Sequence, residues 1–248
     1  MIDKSLTYHK ISIIVPGTFH LFDVGVALDK IDSLEAIYTY SDLLRILKWK
    51  KEIPFRRIKF FRWPILKLGK MTRPRADKII PMKVKKDDSD VVLGLPGASK
   101  AVFEVNTQKL KILDLDHFSW GGASCVPFEH DEFLPFFCPK LPLDANKYVM
   151  QHCILEEEYA LRNRKYNYST HAQKRELSEC VLADVIMVPV SYVYDAILAA
   201  GFPERRLFLN PYGFDESIFY PAAKKNLPLT VMYGGTLSLR KGWYYLRE

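Results

Sequence analysis

Short apolar runs alternate with amphipathic stretches through most of this 248-residue chain, and no other feature limits its possible folds so strongly. Ile11-Ser12-Ile13-Ile14-Val15 reads as a buried strand closed by Pro16-Gly17. Leu21, Val24, Leu28 and Ile31 then recur at helical spacing, before a second short strand at Ala36 to Thr39. Further strands are expected at Asp90 to Gly94, Leu110 to Leu115, Asp184 to Val188 and Leu207 to Leu209. Helical patterns lie near 97–106, 147–162, 172–183 and 191–200. Strands that are apolar on both faces, separated by amphipathic helices, specify a parallel sheet covered on both sides. The expected fold is therefore α/β, a doubly wound Rossmann-like sheet. With 48% hydrophobic residues, the chain has ample material for a core.

Two stretches break the rhythm. From Arg45 to Lys86, sixteen Lys and Arg face two acids, Glu52 and Asp77, so this segment carries +14 while the whole chain carries +7. Trp49, Phe55, Phe60, Phe61 and Trp63 are interleaved with the charge, and the segment reads as mixed helix and loop. Such composition suits an anionic membrane surface; single-stranded nucleic acid is the second functional reading, and a solvated basic face the third. The other irregular stretch, 118–146, is rich in Pro, Gly and aromatics. The four cysteines show no C-x-x-C pair and fit a reducing, cytoplasmic setting. The polar opening MIDKSLTYHK and the brevity of the run Ile11 to Val15 predict neither a leader nor a membrane span.

Near the carboxyl end, a polar, Pro-bearing stretch separates two units. Residues 1–217 read as one domain, 218–228 as a linker, and 229–248 as the incomplete beginning of a second domain. A fresh strand is expected at Leu229 to Tyr233, followed by Gly234-Gly235-Thr236-Leu237-Ser238-Leu239-Arg240-Lys241-Gly242. Paired glycines after a strand let backbone approach a phosphate, and Arg240 and Lys241 would add charge-assisted contacts. An ordinary strand–turn–helix with a solvated Arg-Lys pair fits the same spacing.

Three ordered stretches carry a family resemblance: Arg175-Glu176-Leu177-Ser178-Glu179 running into Leu182-Ala183-Asp184-Val185-Ile186-Met187-Val188-Pro189, then Asn210-Pro211-Tyr212-Gly213-Phe214-Asp215, then the glycine loop above. Together they resemble the retaining GT-B glycosyltransferases of the glycosyl transferase group 1 family (family 4). In that family an acidic helix precedes an alanine-aspartate strand, a Pro-x-Gly-x-Asp turn closes the first domain, and a Gly-x-Leu-x-x-x-Lys-Gly loop opens the second. The resemblance implies sugar transfer from a nucleoside-diphosphate-sugar co-substrate to a glycan or lipid-linked acceptor, with retention and with neither metal nor other cofactor. It implies pyrophosphate binding by Gly234, Gly235, Arg240 and Lys241, and an interdomain hinge at Asn210, Gly213 and Asp215. More loosely, it places Gly17, Thr18 and His20 on an acceptor-side loop and His117 at the transferred sugar, as catalytic residue. The family's acidic helix usually follows that histidine soon; here 38 residues separate His117 from Glu156. The family's paired-glutamate motif does not occur, so little transfer activity is expected from these 248 residues alone. The competing class is a non-enzymatic Rossmann-like module with a basic docking face.

No P-loop, G-x-S-x-G, H-E-x-x-H or Cys/His metal spacing is present, and no G-x-G-x-x-G follows the first strand. That pattern argues against a nicotinamide-dependent enzyme.

Overall fold

The computed structural model describes residues 9–16, 20–42, 57–62, 73–116, 157–162, 170–214, 216–221, 231–234 and 245–246. Seven strands form one sheet: β1 (Ile11–Val15), β2 (Leu34–Asp42), β3 (Ile58–Arg62), β4 (Val91–Gly94), β5 (Leu110–Asp114), β6 (Val185–Val188) and β7 (Leu207–Leu209). Their order is β3-β2-β1-β4-β5-β6-β7, and every neighbouring pair is parallel. The direction of winding reverses between β1 and β4, as a doubly wound Rossmann-like sheet requires.

Among the described residues, five α-helices accompany the strands: α1 (Leu21–Lys30), α2 (Arg73–Lys85), α3 (Lys100–Val105), α4 (Thr170–Leu182) and α5 (Ser191–Ala199). Side chains alternate across the sheet with the period of the pleat. Ile14, Ala36, Tyr38, Val92, Leu113, Ile186 and Val188 pack with α2 to α5 residues such as Ile80, Val102, Cys180 and Ile197. Ile13, Val15, Ile37, Leu93 and Leu95 pack on the other face, with Leu21 and Phe22 of α1. Right-handed crossovers account for this division, because connections running in one direction along the sheet all fall on one face.

Local chemistry sets the element ends. Gly201 closes α5 at φ 91°. Its amide donates to the Leu198 carbonyl, and the Phe202 amide donates to Ile197, while the Phe202 ring is buried below. That is a Schellman cap with its hydrophobic contact. Asp32 plays the same part after α1 at φ 55°, with Ser33 N–H donating to Leu28. The last carbonyls of α4 receive the Arg206 guanidinium, which bonds Cys180, Val181 and Ala183.

The structure revises the sequence reading in the basic segment. An edge strand, β3, pairs with β2 there, and α2 follows with Pro81 inside it. Ile58, Phe60 and Phe61 give β3 an apolar character that Lys59, Arg62 and the dense charge around them obscure in the sequence; lysine and arginine suit such an edge. A proline within a helical pattern reads as a breaker. The helix expected from residue 97 starts at Lys100, since Gly97 stands at φ 83°. The helix expected over 147–162 falls largely outside the described residues, where 157–160 form a helical turn. The strand expected at Leu229 to Tyr233 is not formed across its described part: 231–234 is irregular and mostly exposed, without a ladder in the seven-stranded sheet.

Candidate functional site

Open parallel sheets receive ligands beyond the carboxyl ends of their strands, beside the point where the winding reverses. Two chemistry-bearing residues meet there. His20 stands at the start of α1, and its carbonyl accepts from the amides of Asp23 and Val24. Asp114 ends β5 with only 5% of its surface exposed. His20 Nε2 lies 2.7 Å from Asp114 Oδ2, although 94 positions separate the two residues. Because β4 lies between β1 and β5, the imidazole reaches across the end of β4 to make this bond.

A carboxylate only accepts, so the proton of this bond belongs to Nε2, and Nδ1 carries the lone pair of the neutral ring. The hydrogen bond to Asp114 raises the His20 pKa above its ordinary 6.5; burial opposes it, and the charges of Asp114, Asp116 and Asp23 add to the rise. The third member is Tyr212, in the loop after β7. Its ring centroid is 4.9 Å from that of His20, tilted by 55°. Desolvation, then the charges of Asp114 and Asp116, hold its phenol above the ordinary range, so it stays neutral and can donate.

The loop between β4 and α3 is fixed from behind. Glu179 of α4 is fully buried, and its carboxylate accepts from the amides of Gly97 (2.5 Å), Ser99 (2.9 Å) and Lys100 (3.0 Å). Burial pushes its carboxyl above the usual carboxylate range, against these amides and Arg175. Three amides that could have greeted an anionic ligand beside the reversal point are thus occupied by the protein itself.

The expected site residues fall into two groups. His20, Asn210, Gly213 and Gly234 lie among the described residues. Gly17, Thr18, His117, Asp215, Gly235, Arg240 and Lys241 lie outside them. Asn210 donates its amide to Val188 and leads into the turn that carries Tyr212 to His20. Gly213 and Gly234 are exposed, and a Cβ added at either would meet nothing within 4 Å. Asp114 and Tyr212 are site residues to which the motifs assign no role. An acid ending an apolar strand was the available signal for Asp114, since a buried carboxylate requires a partner. Among the described residues, no cluster of three His, Cys, Asp or Glu is arranged to hold a metal ion. No helix among them is long and apolar enough to cross a membrane.

No family model matches the chain, and no curated protein matches it. Solved structures similar to it include the UDP-GlcNAc 2-epimerase from Methanocaldococcus jannaschii, at TM-score 0.46 and 13% identity over 81% of this chain and 45% of that one. A putative UDP-N-acetylglucosamine 2-epimerase from Listeria monocytogenes matches at TM-score 0.45 and 14% identity, over 81% of this chain and 44% of that one. Anabaena HepE in complex with UDP and glucose matches at TM-score 0.44 and 12% identity, over 85% of this chain and 46% of that one. The chain spans less than half the length of each.

Proposed function

We propose that this chain is the acceptor-side half of a glycosyltransferase using a nucleoside-diphosphate-sugar donor, with His20 as the base that receives the acceptor's proton. The observation that carries the reading is the His20–Asp114 pair bridging the carboxyl end of the sheet. Nδ1 takes the proton from the acceptor hydroxyl, and Asp114 stabilises the imidazolium that results. The acceptor oxygen bonds to the anomeric carbon, whose bond to the donor diphosphate breaks with the electron pair leaving on the phosphate oxygen. Gly234, Gly235, Arg240 and Lys241 would receive that developing charge, and the turn at Asn210, Gly213 and Asp215 would join the halves. His117, one residue past Asp116, would line the same cleft.

The ordered motifs from Arg175 to Gly242 support transfer with retention to a glycan or lipid-linked acceptor. The His20–Asp114 pair favours a second stereochemical reading, in-line displacement with inversion, because that is the reaction in which a base on the incoming hydroxyl assists directly. Proton NMR of the first product formed by the whole enzyme separates the two by its anomeric configuration. Replacing His20→Gln should lower kcat/KM by about a hundred- to ten-thousandfold. Parental turnover in that variant removes the base assignment.

A further inference from the structure

We propose that Glu179 is a positioning residue for the site: by holding the loop between β4 and α3, it fixes the geometry in which His20 meets Asp114. This rests on the His20–Asp114 pair being the working site, and it adds the group that keeps the two at bonding distance. Sheet register brings the loop there. Gly94 pairs with Ile14 of β1 on one side and with Leu113 of β5 on the other. One residue on, Leu95 therefore stands level with Asp114, between the strand that leads to His20 and the strand that Asp114 ends. The Leu95 amide donates to the Ile14 carbonyl at 3.1 Å. Its side chain, 4% exposed, lies in one buried cluster with Leu21 and Phe22, the two residues after His20. The histidine–aspartate bond spans the end of β4, which is where this loop begins.

The loop turns at Gly97 with φ 83°, a conformation that glycine permits but does not enforce. Its anchor comes from α4, some eighty positions further on. Glu179 Oε2 accepts from the Gly97 amide, and Oε1 accepts from those of Ser99 and Lys100. Ser99 passes the constraint back along the loop, since its hydroxyl donates to the Leu95 carbonyl at 2.7 Å. Glu179, Ser99, Leu95 and Leu21 are all buried, so a displacement of one is felt by the next. The carboxylate is itself held: Arg175, one turn earlier on α4, lies 3.5 Å from Oε1 and 3.5 Å from Asp77 of α2. A reacting pair needs such a supporting shell, because a misplacement of about 1 Å costs on the order of a hundredfold in rate.

The test makes Glu179→Gln in the full chain and follows the imidazole resonances of His20 by nitrogen–proton NMR across a pH titration. Glutamine keeps one acceptor oxygen for Ser99 and Lys100 but turns an amide donor on the Gly97 N–H. The loop should shift, the bond to Asp114 should weaken, and the His20 pKa should fall towards its ordinary 6.5. His9, beside Asp90 at the amino end of the sheet, is the internal control, and its resonances should stay as in the parent. Ser99→Ala breaks the link to Leu95 with less disturbance and should move His20 in the same direction; it carries the test if Glu179→Gln does not fold. A folded Glu179→Gln with the parental His20 titration, a parental titration in Ser99→Ala, or a shift shared by His9 would overturn the proposal. Failure of both variants to fold assigns Glu179 to stability alone and overturns it as well. A lowered His20 pKa in Glu179→Gln beside parental turnover in His20→Gln would defeat the base assignment and leave the positioning intact. An unmoved His20 beside lost turnover in His20→Gln would defeat the positioning alone.

Discussion

His20 and Asp114 form a two-residue device whose pH behaviour follows from its geometry. A base must be neutral to work, so turnover should rise with pH as His20 loses its proton, at a value above its ordinary 6.5. Asp114→Asn removes the charge and keeps an acceptor oxygen; the rising limb of the pH–rate profile should move to lower pH. A limb unmoved by that substitution would assign the titration to another group. The stability linkage has its own sign. Since the folded pKa is raised, the bond contributes stability fully below the unfolded value and loses it as pH rises through the folded one.

Asp87 shows the opposite sign. Its carboxylate accepts from Ser12 (2.6 Å), Tyr38 (2.9 Å), Ser89 (2.6 Å) and Lys109 (2.7 Å) near the amino ends of the strands. Burial pushes its pKa up, but Lys109, Ser12 and Ser89 outweigh burial and hold it below the ordinary 3.8. This cluster therefore stabilises the fold above about pH 4 and is lost as pH falls through the depressed value. Asp87→Ala leaves the partly buried Lys109 ammonium without its carboxylate and should cost about 1–3 kcal/mol at neutral pH. Urea unfolding across the acid range should show that difference shrinking below pH 4.

At the scale of the elements, the turn from β4 into α3 leaves little room for substitution. Gly94 ends β4 where an added Cβ would fall inside contact distance of Ser99 Oγ and 2.9 Å from Ser99 Cβ. Ser99 cannot give way cheaply, because it is buried and its hydroxyl donates to the Leu95 carbonyl. Gly94→Ala should cost about 1–3 kcal/mol, read as a lower urea midpoint at unchanged slope; an unchanged midpoint means the turn relaxes freely. The same elements show what was legible in sequence. Strands β1 and β4 announce themselves because runs such as Ile13-Ile14-Val15 are buried on both faces, and β5, β6 and β7 by short apolar runs, although Phe208 and Leu209 of β7 are exposed. Strand β3 does not, since Ile58, Phe60 and Phe61 are interrupted by Lys59 and set in a densely basic stretch. Glu179 and Asp184 belong to the motifs that carried the family resemblance, yet in the fold they hold backbone: Glu179 the loop before α3, and Asp184 the Lys111 amide of β5 at 2.8 Å. His20, Asp114 and Tyr212 were each visible in the sequence, but their meeting depends on strand order, which no local pattern encodes.

For the whole molecule, the structure narrows the basic segment 45–86. Arg57 lies among Asp29, Asp32 and Glu35 at 3.6–3.7 Å and is no loose surface cation. A membrane test therefore retains it and replaces Lys48, Lys50, Lys51 and Arg56. If the segment docks on anionic lipid, the fourfold variant should sediment with phosphatidylserine vesicles at least tenfold less at low salt, given about 1 kcal/mol per cation near the surface. Equal sedimentation would leave these four as ordinary solvated charges.

The histidine–aspartate bond also has a consequence for how the molecule assembles. It joins residues 94 apart in sequence across a strand that belongs to neither. Closing a loop over such a span costs more chain entropy than a local contact does. The elevated proton affinity of His20 therefore depends on strands from both sides of β4 being in place, and it belongs to the assembled sheet rather than to the loop that carries the ring.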